Sequence, residues 1–292
     1  MDTNILELYG ISTVSNDNID WGEVSNQGNC PYLNKRCVKT RKSSPDVTIG
    51  TCTILYSKKR KDVIICPHRF LERMQIFTDC LHLLSLHEPG NQLHVVSEIG
   101  IPGGSVDYFL VSVRNGKVKD FVGVELQALD TTGTIWPERQ KFLHGKGIEV
   151  SDESFKSDKT YGMNWKMTAK TILVQMHHKV QTFQEINKHL VLIIQDHFMD
   201  YIRHEFRFSH LNQALIGDPA HFHVYKMKKS ELSFLFQLEL ADRFSTDVNG
   251  IAECLGLQTN QRMELEAITR LLESKISSRT LFALQASNIP LI

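Results

Sequence analysis

The chain has 292 residues, 41% hydrophobic and 23% charged, the make-up of a globular protein of one or two domains. No apolar run approaches the roughly 20 residues that a bilayer-spanning helix needs, and the opening MDTNILELYG has neither the basic start nor the apolar core of an export signal, so a cytoplasmic protein without a membrane partner is expected. The 33 basic and 33 acidic residues cancel overall but not locally: between Cys30 and Arg73 eleven basic residues face only Asp46, Asp62 and Glu72, so this segment carries +8 and the rest −8, a distribution suited either to gripping phosphate or to a solvated charged face.

In chain order, residues 1–29 are polar, with turn formers at Ser15-Asn16-Asp17-Asn18 and Asn26-Gln27-Gly28-Asn29, and read as an arm or loop. Residues 30–69 hold four of the six cysteines and form a candidate mini-module. Phe70, Met74, Phe77, Leu81 and Leu84 recur with helical period over 70–86. A short strand follows at 93–97, a turn at Gly103-Gly104, and an alternating strand at 106–113. Asn115-Gly116 signals a tight hairpin whose return strand is 121–127. A long loop is expected over 128–163. A helix spans 165–183, with Trp165, Ala169, Ile172, Leu173, Met176, Val180 and Phe183 on one face. The apolar run His189–Gln195 reads as a buried parallel strand. The tail is read as mostly helical, over 230–244, 247–254 and 261–275. These segments divide the chain into 1–69, an arm with the cysteine module; 70–229, the core; and 230–292, a helical C-terminal region packed on it.

The hairpin carries the chemistry. Asp107 lies near the start of one strand; Glu125 and Gln127 lie near the end of the other and share a face, because side chains alternate with period two. The Asn-Gly turn is about midway between Asp107 and Glu125, so the two carboxylates are near-neighbours, and Glu98 at the end of the preceding strand can join them. Acids within apolar stretches such as Val106-Asp107-Tyr108-Phe109 and Val124-Glu125-Leu126 need a partner or a metal. Converging carboxylates suit Mg2+, a hard cation that keeps waters for a substrate phosphate.

Cys30, Cys37, Cys52 and Cys66 contain no Cys-x-x-Cys knuckle. In a cytoplasmic protein disulfides are not expected. Four thiolates can close a tetrahedral site around zinc or iron, or some of the four are ordinary buried thiols. Cys80 and Cys254, on or near helices, read as core thiols.

Asp107, a hairpin, then Glu125-Leu126-Gln127 resembles the PD-(D/E)xK nuclease signature, and the order helix, three strands, crossover helix, strand resembles that fold's core. Val106 replaces the motif's proline and Gln127 its lysine, the residue that positions or polarises the attacking water. The longer run Glu98-Ile99-Gly100-Ile101-Pro102-Gly103-Gly104-Ser105-Val106-Asp107, with Glu125-Leu126-Gln127, Asn164-Trp165-Lys166, Ile194-Gln195-Asp196 and the four early cysteines, is similar to the NotI-type restriction endonucleases from about Cys30 to Tyr201. That family also carries glutamine at the third motif position. The resemblance implies an α/β restriction-endonuclease-like mixed sheet flanked by helices, an iron site on Cys30, Cys37, Cys52 and Cys66, and a homodimer acting on double-stranded DNA. It implies a type II restriction endonuclease in which Asp107 and Glu125 hold Mg2+, Glu98 is an accessory acid and Gln127 orients water.

Other groups are weaker. His177-His178 and His221-Phe222-His223 read as core or surface histidines. Lys166 and Lys170, one turn apart, either reach phosphate and stand in for the absent motif lysine or form a solvated face. Arg203, His204, Glu205 and Arg207 either reach base edges or are surface charges. A repair or recombination nuclease on the same core, or a non-catalytic DNA-binding protein stapled by metal, are the rival readings.

Overall fold

A computed structural model describes residues 3–14, 18–150, 153–157, 161–206, 208, 211–229, 236–257 and 270. The chain divides into the units Met1–Leu255 and Gly256–Ile292, and all the elements below belong to the first. No helix among the described residues is long and apolar enough to cross a membrane.

The N-terminal residues are not a free arm. Strands β1 (Ile5–Leu8) and β2 (Ile11–Ser12) form a hairpin, and helix α1 (Trp21–Gln27) follows. Asp20 caps α1 by accepting from the Glu23 amide at 2.9 Å, and Gly28 ends it in the left-handed conformation. Two small hairpins come next, β3 (Asn29–Cys30) with β4 (Lys35–Arg36) and β5 (Thr40–Arg41) with β6 (Ser44–Thr48). Strands β7 (Thr51–Tyr56) and β8 (Lys61–Ile64) complete an antiparallel sheet of order β2-β1-β7-β8. Strand β1 is only four residues long and sits in a polar stretch, which hid it; Ile5, Leu6 and Leu8 are all buried.

The helix expected over 70–86 is broken. A 3-10 stretch, Pro67–Met74, runs into α2 (Gln75–Cys80) and a second 3-10 turn, Leu81–Leu83. Arg73 and Met74 have φ of +52° and +56°, which no helix tolerates. Phe70 and Phe77 still enter one buried cluster, which explains why the periodic pattern outlived the break.

The main sheet is built from β9 (Gln92–Ile101), β10 (Gly104–Arg114) and β11 (Lys117–Gln127). Asn115 and Gly116 both have positive φ, as the tight β10–β11 turn demands. The stretch expected as loop holds β12 (Thr131–Thr132), helix α3 (Trp136–Gly145) and β13 (Gly162–Met163). Helix α3 escaped notice because its apolar residues do not collect on one face; Arg139 and Gln140 are buried beside Phe142 and Leu143. Helix α4 (Trp165–Glu185) then crosses to β14 (His189–Gln195), and α5 (Asp196–Glu205) leads through β15 (Asn212–Gln213) to β16 (Ala220–Lys229). Next comes β17 (Phe236–Thr246), where a helix over 230–244 was expected, and then α6 (Val248–Cys254). Phe236, Leu238 and Leu240 alternate with period two, and β17 pairs along the whole of β16, so sheet pairing overrides helical propensity. The expected helix at 261–275 lies outside the described residues, Arg270 excepted.

The sheet order is β15-β17-β16-β14-β11-β10-β9, with β11, β14 and β16 parallel and the remaining pairs antiparallel. Alternate residues serve two cores. Leu190, Leu192 and Ile194 face α4, meeting Ile172, Met176, Val180 and Phe183; Val191 and Ile193 face Phe70, Phe77 and Leu83. Each such fully buried side chain contributes about 1.5–3 kcal/mol.

Arg69 joins the two sheets. It is 1% exposed, and its guanidinium donates to Glu7 of β1 at 2.8 Å, to Glu72 at 2.9 Å and to the Phe236 carbonyl of β17 at 2.9 Å, with Tyr32 stacked 5.2 Å away. Burial pushes the Glu7 carboxyl up, against the lowering pull of Arg69. Arg69→Met strands a buried carboxylate and is expected to cost about 3–5 kcal/mol, most of it recovered when Glu7→Gln is added. Urea unfolding of the three proteins measures this; a midpoint unchanged by Arg69→Met would refute it.

Candidate active site

The register of three strands sets the acids in one row. Tyr108 faces Val124 on β11 and Ser97 on β9, and Val106 faces Ile99, so Asp107 stands between Glu98 and Glu125. All three alternate onto the face that α4 covers, the face of Phe109 and Leu192. Glu98 is exposed and its backbone has φ of +55°, a local kink in the edge strand. Asp107 is half-buried and accepts from the Leu126 amide at 2.9 Å. Glu125 is 4% exposed; burial lifts its pKa to about 7, the charge of Asp107 adds to the rise, and bonds from Lys179 and the Asp107 backbone oppose it. Gln127, half-buried on the same face, spends its amide on the Ala128 carbonyl at 2.5 Å.

The side chain that sequence reasoning missed is Lys179. Its ammonium lies 2.7 Å from Glu125 Oε1 and is buried with it. The signal was present: Lys179 is seven residues after Ile172 and three after Met176, so it falls on the apolar stripe of α4, where a lysine is out of place. Lys166 and Lys170, weighed for this role, are exposed.

Hard oxygen donors beside a costly buried negative charge fit a divalent cation, which favours the ionised form of Glu125. Among the described residues no three His, Cys, Asp or Glu side chains are grouped to hold one ion. The acid row thus offers at most two carboxylates to an ion at once, leaving the other positions to water and phosphate, as Mg2+ prefers.

The same finding bears on the cysteines. Cys30, Cys52 and Cys66 are buried, Cys37 is half-buried, and all four are free thiols, but no three stand within ligating reach of a single ion. They share a neighbourhood: burial raises the Cys52 thiol, and the charges of Cys66 and Cys30 raise it further, while Cys66 feels Cys37 and Cys30. The remaining histidines and arginines are mostly structural or superficial. His221 and His223 are fully buried on β16, His178 is exposed, and Arg203 lies over the Phe244 ring at 4.1 Å. Arg207 lies outside the described residues.

A mixed sheet with acids rowed across its hairpin beneath a crossover helix is the framework of a nuclease that hydrolyses phosphodiester bonds. The family model described as restriction endonuclease NotI matches residues 24–238, more than half of the chain, and the chain therefore belongs to the NotI restriction endonuclease family. Its activity is that of a type II site-specific deoxyribonuclease acting on double-stranded DNA, which sets aside the repair-nuclease and purely DNA-binding readings. No curated protein matches the chain.

At the C-terminal end of β14, on the face opposite the acid row, Gln195 receives the Ile64 amide at 2.9 Å and donates to the Asp62 carbonyl at 2.8 Å. His197 pairs with Asp62 at 3.6 Å and Asp196 at 3.7 Å. The bond to Asp62 raises the His197 pKa above its ordinary value despite burial. A raised folded-state pKa contributes stability that is full below about pH 6.5 and lost as pH rises through the folded value. His197→Gln is therefore expected to destabilise by up to about 1 kcal/mol at pH 5.5 and by less at pH 8.5. Urea unfolding at both pH values checks the sign, and a larger loss at pH 8.5 would contradict it.

Proposed function

We propose that Asp107 and Glu125 hold Mg2+ for cleavage of DNA, with Glu98 as an accessory acid and Gln127 orienting water through its amide oxygen, its NH2 group being engaged by the Ala128 carbonyl. The observation that carries this reading is the row of three acids across β9, β10 and β11, with Glu125 buried where an unpaired charge is costly. Restriction endonucleases generally use Mg2+, which supplies charge neutralisation at phosphorus and a water of lowered pKa. Asp107 is anchored through one carboxylate oxygen by the Leu126 amide. In the reaction a water oxygen bonds to phosphorus, one P–O ester bond breaks and the departing oxygen takes a proton, leaving a phosphate monoester and a hydroxyl.

Residues 1–69 are proposed to grip the duplex and 70–229 to cut it, in the cytoplasm. A groove of about 900 Å³ supports the first role: Thr40, Lys42 and Ser43 line it together with Thr131 and Thr134, which follow β11. Cationic and hydroxyl groups of this kind contact phosphate. Cys30, Cys37, Cys52 and Cys66 are proposed to bind iron or zinc, supported by the burial of three of them beside the half-buried Cys37 and by their lack of disulfides. As the four stand, this commits the module to close locally when the ion enters. A homodimer is proposed because each chain has one acid row and duplex DNA has two strands.

Asp107→Asn and Glu125→Gln are expected to reduce plasmid cleavage by at least about 1,000-fold, with gel-shift affinity in Ca2+ retained or improved. Either variant cutting at the wild-type rate would remove this site. For the module, elemental analysis should find about one iron or zinc per chain, lost in Cys37→Ser; a metal-free native enzyme with four alkylatable thiols would end that proposal. Sedimentation of the DNA-free enzyme should give a dimer and the mapped ends a palindrome; a monomer that nicks one strand would overturn the assembly.

A further inference from the structure

The acid hairpin carries Gln127 where the nuclease signature carries lysine, and a buried cation approaches the same acid from another element. Lys179 reaches Glu125 from α4, with its ammonium 2.7 Å from Oε1 and its side chain 6% exposed. Its neighbours on α4, Met176, Val180 and Phe183, are buried and apolar. Burying an ammonium costs several kcal/mol before pairing recovers it. The adjoining His178 is exposed, so solvent lay one residue away.

The surroundings are shaped to this side chain. Gly103 and Gly104, the turn between β9 and β10, have φ of +95° and +133°. A Cβ on Gly103 would stand 2.8 Å from the His178 carbonyl oxygen, and one on Gly104 would stand 3.2 Å from Lys179 Cε. Thr182 Oγ1 donates to the Pro102 carbonyl at 2.8 Å and ties the turn to α4. The turn joining the strands of Glu98 and Asp107 thus leaves room for the α4 backbone and the lysine stem. The ammonium arrives on the face shared by Glu125 and Gln127, while the Gln127 amide is engaged by the Ala128 carbonyl.

We propose that Lys179 supplies the cation that the hairpin lacks at position 127, positioning the attacking water and the scissile phosphate beside Glu125. The inference rests on the Asp107–Glu125 reading above. Lys179 transfers no proton in this step: the water oxygen bonds to phosphorus, the ester P–O bond breaks, the water's proton passes to solvent, and the departing oxygen is protonated from solvent.

A counter-ion and a positioning cation respond differently to metal. If Lys179 only neutralises Glu125, saturating Mg2+ replaces it and Lys179→Met cuts normally. If it acts on water and phosphate, the defect survives saturation. The experiment is single-turnover cleavage, by the full chain, of plasmid DNA that the wild type cuts, across a Mg2+ titration, with gel-shift affinity in Ca2+ and calorimetric Ca2+ binding without DNA. Lys179→Met is expected to cut about 100- to 1,000-fold more slowly at saturating Mg2+, to bind DNA within about threefold of wild type, and to bind Ca2+ more tightly because the competing ammonium is gone. Adding Gln127→Lys should restore at least about tenfold, since a lysine then stands at the signature position. A wild-type rate at saturating Mg2+ overturns the proposal. If Lys179→Met fails to fold by circular dichroism, Lys179→Arg decides: a guanidinium keeps the charge but not the compact point of contact, so a persistent loss of about tenfold supports the proposal and an unchanged rate overturns it. Asp107→Asn in parallel separates the two readings, because its full activity would sink the acid row itself.

Discussion

A carboxylate in the middle of an apolar sheet must be compensated, and the fold around Glu125 is arranged to do this. Its neighbours in sequence, Val124 and Leu126, are buried in the opposite core, and its partner across β14 is Leu192. Its carboxylate is therefore largely removed from water, and the charge is met by Lys179 from α4. To deliver that lysine, α4 must run close over the β9–β10 turn, which requires residues without Cβ at Gly103 and space at Gly104. The apolar stripe of α4 and the register of β10 on β11 converge on one pair 2.7 Å long.

Arg69 repeats the device at the junction with the N-terminal sheet. There too a buried carboxylate, Glu7, is met by a buried cation, and the guanidinium's remaining donors reach Glu72 and the Phe236 carbonyl. A planar fork with several donors in fixed directions serves three elements at once, with a geometry that a flexible ammonium does not impose. Arg69 spends donors on three elements of its own protein, whereas the ammonium of Lys179 meets Glu125. Buried pairs of this kind add little net stability, because desolvation offsets attraction. Their effect is to fix which elements meet.

The sequence made the hairpin and the parallel strand beside it legible, because each leaves a local mark. Asn115-Gly116 set the turn, the alternation around Asp107 and Glu125 set the faces, and the unbroken run from His189 to Gln195 marked a strand covered on both sides. What stayed hidden depends on distant partners. Strand β1 is short and becomes visible only when paired with β7, α3 packs through Arg139 and Gln140 rather than an apolar stripe, and β17 is fixed by β16. Lys179 follows the same rule: periodicity places it on the apolar stripe of α4, but only the packing of α4 on the hairpin shows which carboxylate it meets. The cysteine spacing marked a shared neighbourhood but not its geometry.

The same internal use of charge changes how the basic segment must work. Arg69 is enclosed with Glu7 and Glu72, Arg36 donates to the Asp46 carbonyl, and Arg60 donates to the Thr3 carbonyl. The exposed cations between Cys30 and Arg73 then include Lys35, Lys42, Lys58, Lys59 and Lys61. Lysines are point charges on flexible stems, suited to phosphate and poorly suited to the bidentate recognition that distinguishes guanine. Phosphate contacts fix register and supply salt-dependent affinity but carry no sequence information. Arg36, Arg60 and Arg73 are exposed as well, but lysines outnumber them on this surface, so under the reading proposed above the segment acts mainly through phosphate and the larger share of base reading falls to other elements.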